Sequence, residues 1–164
     1  MSSVTGITIN CNRERCNGGG IFCSVQVDAQ HPIYQQGVVA PISILIDLPL
    51  LVYRHPPRAK GEDMTLSNEI AAKLMVQKNG ETASDFREKP GSITVVRKDG
   101  KSLTRPAIEA IWMFNDYFLE HLQEDKRVAE QLLNRNDFDH FCEDYKEDRI
   151  LQGNSSFARL ELPL

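Results

Sequence analysis

The sequence lacks the features that would place it at once in a functional class. Of its 164 residues only one is tryptophan and four are cysteine, and the 23 acidic residues outnumber the 19 basic ones. The resulting net charge of −4 removes a global electrostatic attraction to DNA or to an anionic membrane surface. The most apolar segment, residues 38–53, holds two prolines and Asp47 and is too short to cross a bilayer. We therefore expect neither nucleic acid nor a membrane as a partner.

The motifs of common catalytic and ligand-binding sites are also missing. There is no G-x-S-x-G nucleophile motif, and the glycine-rich residues 17–20 lead into a strand pattern, whereas a phosphate-binding loop opens a helix. The intervals between Cys11, Cys16, Cys23 and His31 lack the paired spacing of a zinc site. We expect no metal and no cofactor, and we interpret these cysteines as reduced core or loop thiols, with a zinc site or a disulfide as the alternatives.

The start of the chain bears on the compartment. The first ten residues contain no basic residue and no apolar run of signal-peptide length. We therefore expect a cytoplasmic protein, in which cysteines stay reduced.

The N-terminal third has the period-two pattern of strands. Residues 6–11 and 21–28 alternate apolar and polar side chains, which predicts two strands joined as a hairpin, with Cys11 and Cys23 facing the core. The alternation of Ile42, Ile44, Ile46 and Leu48 between Pro41 and Pro49 predicts a third strand, with its continuation as a second strand as the alternative.

Turn signals punctuate the chain. Asp47, just before Leu48-Pro49, predicts a turn between two strands. Lys98-Asp99-Gly100 predicts the turn of a second hairpin, between residues 93–96 and 101–103.

Helical periodicity dominates the rest of the chain. Thr65 as N-cap and Asn79-Gly80 as stop signal bound a first helix. Pro106 precedes the longest helical pattern. The helices predicted from there on span residues 107–123, 128–133 and 137–145.

Strands come first and helices mostly later, which predicts an α+β fold with an N-terminal antiparallel or mixed β-sheet packed against a long central helix and C-terminal helices. We expect a single domain over residues 1–164. Its parts are a β-rich part (1–54), a surface connection (55–64), a helix-rich part (65–150) and a C-terminal arm (151–164).

The long helix has apolar side chains on more than one face. Trp112 and Leu119 lie well round the helix from the main apolar stripe. The sheet, the C-terminal helices or a second copy of the chain would each cover them. Trp112 and Leu119 are therefore the residues expected at an interface if the protein is a homo-oligomer.

The most pronounced compositional feature is acidic. Between residues 116 and 148 there are eleven acidic residues against four basic ones. The last predicted helix has an apolar face opposite its charges, so a solvated face and a docking surface are both compatible with the pattern. The predicted partner-binding residues are Asp137, His140, Glu143, Asp144, Glu147 and Asp148.

Together these patterns favour a small protein that acts by binding another protein, as a regulator, inhibitor or immunity-type factor, through an acidic helical surface that attracts a basic partner. Two alternatives stay open. One is a small enzyme with acid–base or thiol chemistry, using residues from the set Cys23, His31, Asp47 and His55. The other is a structural subunit of a larger assembly.

Overall fold

A computed structural model of the chain describes residues 3–10, 21–56, 68–87 and 91–164. Cys11, Cys16, the glycine-rich residues 17–20, Thr65 and residues 57–64 of the predicted surface connection lie outside these ranges. The strands are β1 (Val4–Ile9), β2 (Phe22–Val27), β3 (Val38–Val39), β4 (Leu50–Arg54) and β5 (Ile93–Arg97). The helices are α1 (Ile33–Gln36), α2 (Pro41–Leu45), α3 (Glu69–Leu74), α4 (Ser84–Arg87), α5 (Arg105–Glu124), α6 (Lys126–Gln131) and α7 (Arg135–Leu151), followed by a 3-10 helix at Ser155–Arg159.

The five strands form one antiparallel sheet in the order β2-β1-β5-β4-β3. Alternation along the strands gives the sheet two apolar faces of unequal size. Ile7, Ile9 and Val95 face the helices and join the main core, in which α5 packs. Val27 and Val96 face the other way and pack under α1 in a smaller cluster. The α+β class predicted from the sequence is confirmed.

Cys23 faces the smaller cluster and not the main core. It lies directly opposite Thr8 on β1, whereas the neighbouring Phe22 is opposite Ile9 and packs in the main core. The alternation predicted for β2 is therefore correct. Because the sheet is apolar on both faces, the face that Cys23 shares with Val25 and Val27 is that of the smaller cluster, and Cys23 is half-buried there.

The predicted strand over residues 42–48 is wrong. Pro41 starts helix α2, where its fixed φ suits the first turn and its missing N–H leaves no donor unpaired. Ile42 and Ile46, four residues apart, are fully buried, while Ile44 is 58% exposed. Isoleucine at every second position matches the alternation of a strand, but only the two isoleucines that are four residues apart, and so on one face of a helix, are buried. The hydroxyl of Ser43 donates to the Ala40 carbonyl at 2.6 Å and accepts from the Leu50 N–H at 3.0 Å, which ties α2 to β4.

The predicted turn at Asp47 is confirmed, although it joins a helix to a strand. Asp47 has φ of 54°, a left-handed conformation that favours glycine, asparagine and aspartate. We expect Asp47→Ala to lower the free energy of unfolding by about 1 kcal/mol and Asp47→Gly to leave it unchanged or raise it slightly. Urea denaturation of both variants measures this. Equal losses in the two variants would contradict a conformational role and point to the carboxylate.

The predicted second hairpin is half right. Gly100 has φ of 81° and closes the turn after β5, but residues 101–103 do not continue as a strand paired with β5. Both edges of β5 are already occupied, by β1 and β4. The Leu103 N–H donates instead to the Thr5 carbonyl at 2.8 Å, which leads the chain across the end of β1 and into α5.

The predicted helices exist with shifted ends. Helix α3 starts at the N-cap Asn68, and Asn79-Gly80 forms a separate turn beyond its end, inside the bridge between Val76 and Thr82. Helix α7 runs to Leu151, beyond the end predicted at Tyr145. The C-terminal arm forms a 3-10 helix whose Phe157 is buried in the core.

Candidate functional site

Helix α7 presents two chemically opposite faces. Phe138 and Cys142 are fully buried, and Phe141 and Tyr145 are half-buried, so the predicted apolar face packs as expected. Burial raises the pKa of the Cys142 thiol to about 12, and the group behaves as a core side chain. The other side of the helix bears the side chains that we call the acidic face. It consists of His140, Glu143, Asp144, Glu147, Asp148 and Leu151, all of them exposed.

The carboxylates of the acidic face are unpaired within the part of the chain that the structure describes. None of Glu143, Asp144, Glu147 and Asp148 has an ion pair or a side-chain hydrogen bond there. The basic residues of the same stretch are turned away from them. The Lys146 Nζ donates to the Leu160 carbonyl at 2.6 Å, and the Arg149 Nε lies 3.1 Å from the Glu109 carboxylate on α5. The acidic face therefore presents its negative charge to solvent.

Asp137, which we predicted as part of this surface, has a structural role in addition. Its N–H donates to the Oδ1 of the N-cap Asn134 at 2.8 Å, and its carboxylate accepts from the Asn134 Nδ2 at 2.5 Å. This reciprocal capping leaves Asp137 half-buried in the first turn, where a negative charge suits the helix dipole.

A polar network fixes the orientation of α7 on α5. The Tyr145 hydroxyl donates to the Glu109 carboxylate at 2.5 Å, and Arg149 pairs with the same carboxylate. Burial, reinforced by this hydrogen bond, raises the pKa of the Tyr145 phenol well above its usual range. Because Glu109 engages two side chains of α7, the acidic face is held outward by contacts on the opposite side of the helix.

Trp112 and Leu119, the predicted interface residues, pack within their own chain. Trp112 is half-buried and meets the Phe22 ring edge to face, with 6.0 Å between centroids. Leu119 is half-buried against the main core, close to the turn at Gly80. The Trp112 Nε1 is buried and finds no hydrogen-bond acceptor in the described ranges. A role for these residues in an oligomer stays a prediction.

The residues of the enzyme alternative do not converge. Cys23 on β2 and His55, just after β4, are separated by β1 and β5, roughly 14 Å at the usual spacing of strands. The His55 Nε2 lies 2.6 Å from the Thr94 hydroxyl. His31 stacks edge to face on Tyr53 of β4, and its Nδ1 accepts from the Ile33 N–H at 3.1 Å.

Asp47, the fourth member of that set, lies at the opposite end of β4 from His55. The thiol is therefore not placed beside an imidazole base, and the carboxylate is not placed beside an imidazole.

Sequence reasoning missed a cleft of about 750 Å³ between the start of α5, residues of β1 and β2 on the side of the sheet that faces the helices, and the 3-10 helix. Two arginines, Arg105 and Arg159, lie on its wall. Pro106 indicates the start of α5 in the sequence, but nothing in the sequence places the C-terminal arm beside it. The exposed Leu151 was also missed, because α7 is longer than the apolar pattern predicts.

No family model, curated protein sequence or solved structure matches this chain. In the ranges that the structure describes, no helix has the length and apolar character to cross a bilayer, and no group of three or more His, Cys, Asp or Glu residues is placed to hold a metal ion.

Proposed function

We propose that this chain is a cytoplasmic protein-binding module, of the regulator, inhibitor or immunity-factor kind, whose acidic face docks against a basic surface of a partner protein. One observation carries the proposal. Four exposed carboxylates lie together on one helix, and none of them makes an ion pair in the described ranges. A reducing compartment suits the unoxidised thiol of Cys142.

The arrangement of these charges opposes the stability of the helix that bears them. Glu143 and Glu147, like Asp144 and Asp148, are like charges at i, i+4, and each such pair destabilises a helix by about 0.2–0.5 kcal/mol. Glu147 and Asp148 also lie near the C-terminal end of α7, where the helix dipole disfavours negative charge by about 0.3–1 kcal/mol each. Departures of this kind from local stability are typical of functional surfaces. A basic partner would relieve both costs.

The end of the acidic face offers an apolar contact. Leu151 is 84% exposed, and Ile150 beside it is 41% exposed. An apolar patch bordered by charges has the composition of a binding surface, in which desolvation of the apolar part adds to affinity and the charges accelerate encounter.

We expect neutralisation of the acidic face to weaken partner binding about tenfold and to stabilise the fold. The variant carries Glu143→Gln, Asp144→Asn, Glu147→Gln and Asp148→Asn. Its free energy of unfolding should rise by about 1 kcal/mol, because the repulsions within the helix are removed. Immobilised on beads and exposed to an extract of the cells that produce the protein, it should retain about tenfold less of the partner than the unmodified chain. Quantitative mass spectrometry of the bound proteins measures this.

A matched control removes the same number of charges elsewhere on the surface. It carries Glu120→Gln, Glu124→Gln, Glu130→Gln and Glu161→Gln. The control should keep the partner, and raising the ionic strength from about 0.05 to 0.5 M should release the partner from the unmodified chain. Equal retention by the acidic-face variant and the control, or a partner insensitive to salt, would contradict the proposal.

A further inference from the structure

The cleft beside α5 has a chemistry that the acidic face does not use. Arg105 and Arg159 lie on its wall, and both are exposed. Neither guanidinium makes an ion pair or a side-chain hydrogen bond with any residue in the described ranges. In a chain of net charge −4, two unpaired arginines on one cleft form a local positive site.

Three hydroxyl groups of the cleft accept hydrogen bonds from N–H groups of the chain. The Ser102 Oγ accepts from the Thr5 N–H at 3.2 Å, the Thr104 Oγ1 accepts from the Ala107 N–H at 3.3 Å, and the Thr5 Oγ1 accepts from the Gln26 side chain at 3.1 Å. A hydroxyl that already accepts an N–H keeps its own O–H to donate. The wall of the cleft therefore offers three O–H donors in addition to the two guanidinium groups.

Two side-chain acceptors on the same wall, Glu109 and Asn154, already make contacts within the chain. The Tyr145 hydroxyl and the Arg149 Nε both contact the Glu109 Oε2, so that Arg149 offsets the charge of this carboxylate, while the Glu109 Oε1 has no such contact in the described ranges. The Asn154 Oδ1 accepts from the N–H and the hydroxyl of Ser156. A molecule that enters the cleft thus meets two unpaired guanidinium groups, three hydroxyl groups that keep an O–H to donate, and one carboxylate whose charge is offset by Arg149. This is the environment of a ligand rich in acceptors, above all an oxyanion.

The floor of the cleft is apolar. Phe22, Leu103 and Phe157 contribute to it, and each is largely buried in the core behind the cleft. A volume of about 750 Å³ suits an organic molecule rather than a bare ion.

We propose that this cleft binds a small organic phosphate of the monoester class, with its phosphate on Arg105 and Arg159 and its apolar body on the floor. Three phosphate oxygens match the two guanidinium groups and the surrounding O–H donors better than a two-oxygen carboxylate does. The start of α5 adds little to the site, since Pro106 has no N–H and the N–H groups of Ala107 and Ile108 are bonded to Thr104.

Titration with phenyl phosphate, followed by calorimetry and by amide chemical shifts, tests the proposal. Phenyl phosphate should bind at least tenfold more tightly than inorganic phosphate, phenol or benzoate, and the amide shifts should concentrate at the cleft. Arg105→Gln and Arg159→Gln should each weaken binding about tenfold. Both side chains are exposed, so the variants should fold normally.

Arg127→Gln is the matched control, because Arg127 is exposed on α6 away from the cleft lining. It should bind phenyl phosphate as the unmodified chain does. Equal weakening in all three arginine variants, tighter binding of benzoate, or absence of binding to the unmodified chain would each overturn the proposal. The acidic-face variant should bind phenyl phosphate normally, so the two proposals stand or fall separately.

Discussion

Replacing Phe114 by alanine should lower the free energy of unfolding by about 3–5 kcal/mol, which for a domain of this size is a fall of roughly 10 °C in Tm. Phe114 is fully buried between α5 and α7. Its ring meets Phe138 edge to face, with 5.1 Å between centroids, and Phe141 with 5.4 Å. Truncation removes both ring contacts and leaves a cavity at the helix contact that supports the acidic face.

Two companion variants make this prediction specific. Phe114→Leu keeps most of the side-chain volume and should lose less than half as much stability as Phe114→Ala. Val128→Ala, at an exposed position on α6, should lose about 0.5 kcal/mol or less. Guanidinium denaturation measures all three. A loss for Phe114→Ala no larger than that for Val128→Ala would mean that the α5–α7 contact is not the core described above.

Hydrogen exchange adds a test that links this packing to function. If Phe114 anchors α7, the substitution Phe114→Ala should accelerate the exchange of the α7 amides, relative to the unmodified chain, more than it accelerates the exchange of the amides of β1 and β5, which pack in the sheet. Uniform acceleration through the chain would instead indicate global destabilisation without a special role for α7.

The parts of the fold that the sequence predicted are those in which one periodicity is unambiguous. Strands β1 and β2 follow clean alternation, and α5 follows a long helical stripe that includes Phe114 and Phe118. The apolar face of α7 was likewise predicted from Phe138, Phe141, Cys142 and Tyr145. In each case burial against the core repeats the period of the element, so the pattern alone indicates the structure.

Prediction failed at short elements, which contain too few residues to distinguish the periodicity of a helix from that of a strand. In α2, isoleucine at every second position matches a strand, and only the proline at N1 and the buried Ser43 favour a helix. The residues that follow Gly100 looked like a returning strand because a hairpin turn precedes them. The position of β5 at the centre of the sheet, which excludes such a partner, depends on long-range pairing.

The candidate sites divide in the same way. The acidic face could be predicted because it lies on one helix, and the opposite side of that helix has a clean apolar pattern. The cleft could not, since Arg105 and Arg159 are 54 residues apart in the sequence and line the same cleft only because the C-terminal arm folds back on the start of α5. A site whose residues come from distant segments of the chain has no characteristic spacing in the sequence by which it could be recognised.

Asn68→Ala should be the second most damaging of these substitutions, with a loss of about 3 kcal/mol in the free energy of unfolding. Asn68 is 4% exposed, and its side chain joins three segments of the chain. Its Nδ2 donates to the carbonyls of Ile9 and Gly91 at 3.1 and 3.0 Å, and its Oδ1 accepts from the Ala71 N–H at 3.0 Å as the cap of α3. Alanine would leave these buried groups unsatisfied, and each costs about 1–3 kcal/mol before relaxation.

The substitution Asn68→Asp distinguishes the two roles of Asn68, which are to cap α3 and to donate hydrogen bonds to the carbonyls of Ile9 and Gly91. Aspartate keeps an acceptor for the Ala71 N–H, but it has no donor for the two carbonyls and places a charge beside them. It should therefore be at least as destabilising as alanine, whereas Asn154→Asp, at a cap whose amide donates to no described residue, should cost about 0.5 kcal/mol or less. Thermal unfolding of the three variants measures the difference. If Asn68→Asp lowered the stability as little as Asn154→Asp does, capping of α3 alone would account for the contribution of Asn68 to stability. Its amide group would then not be needed to hold β1 and β5 to the start of α3.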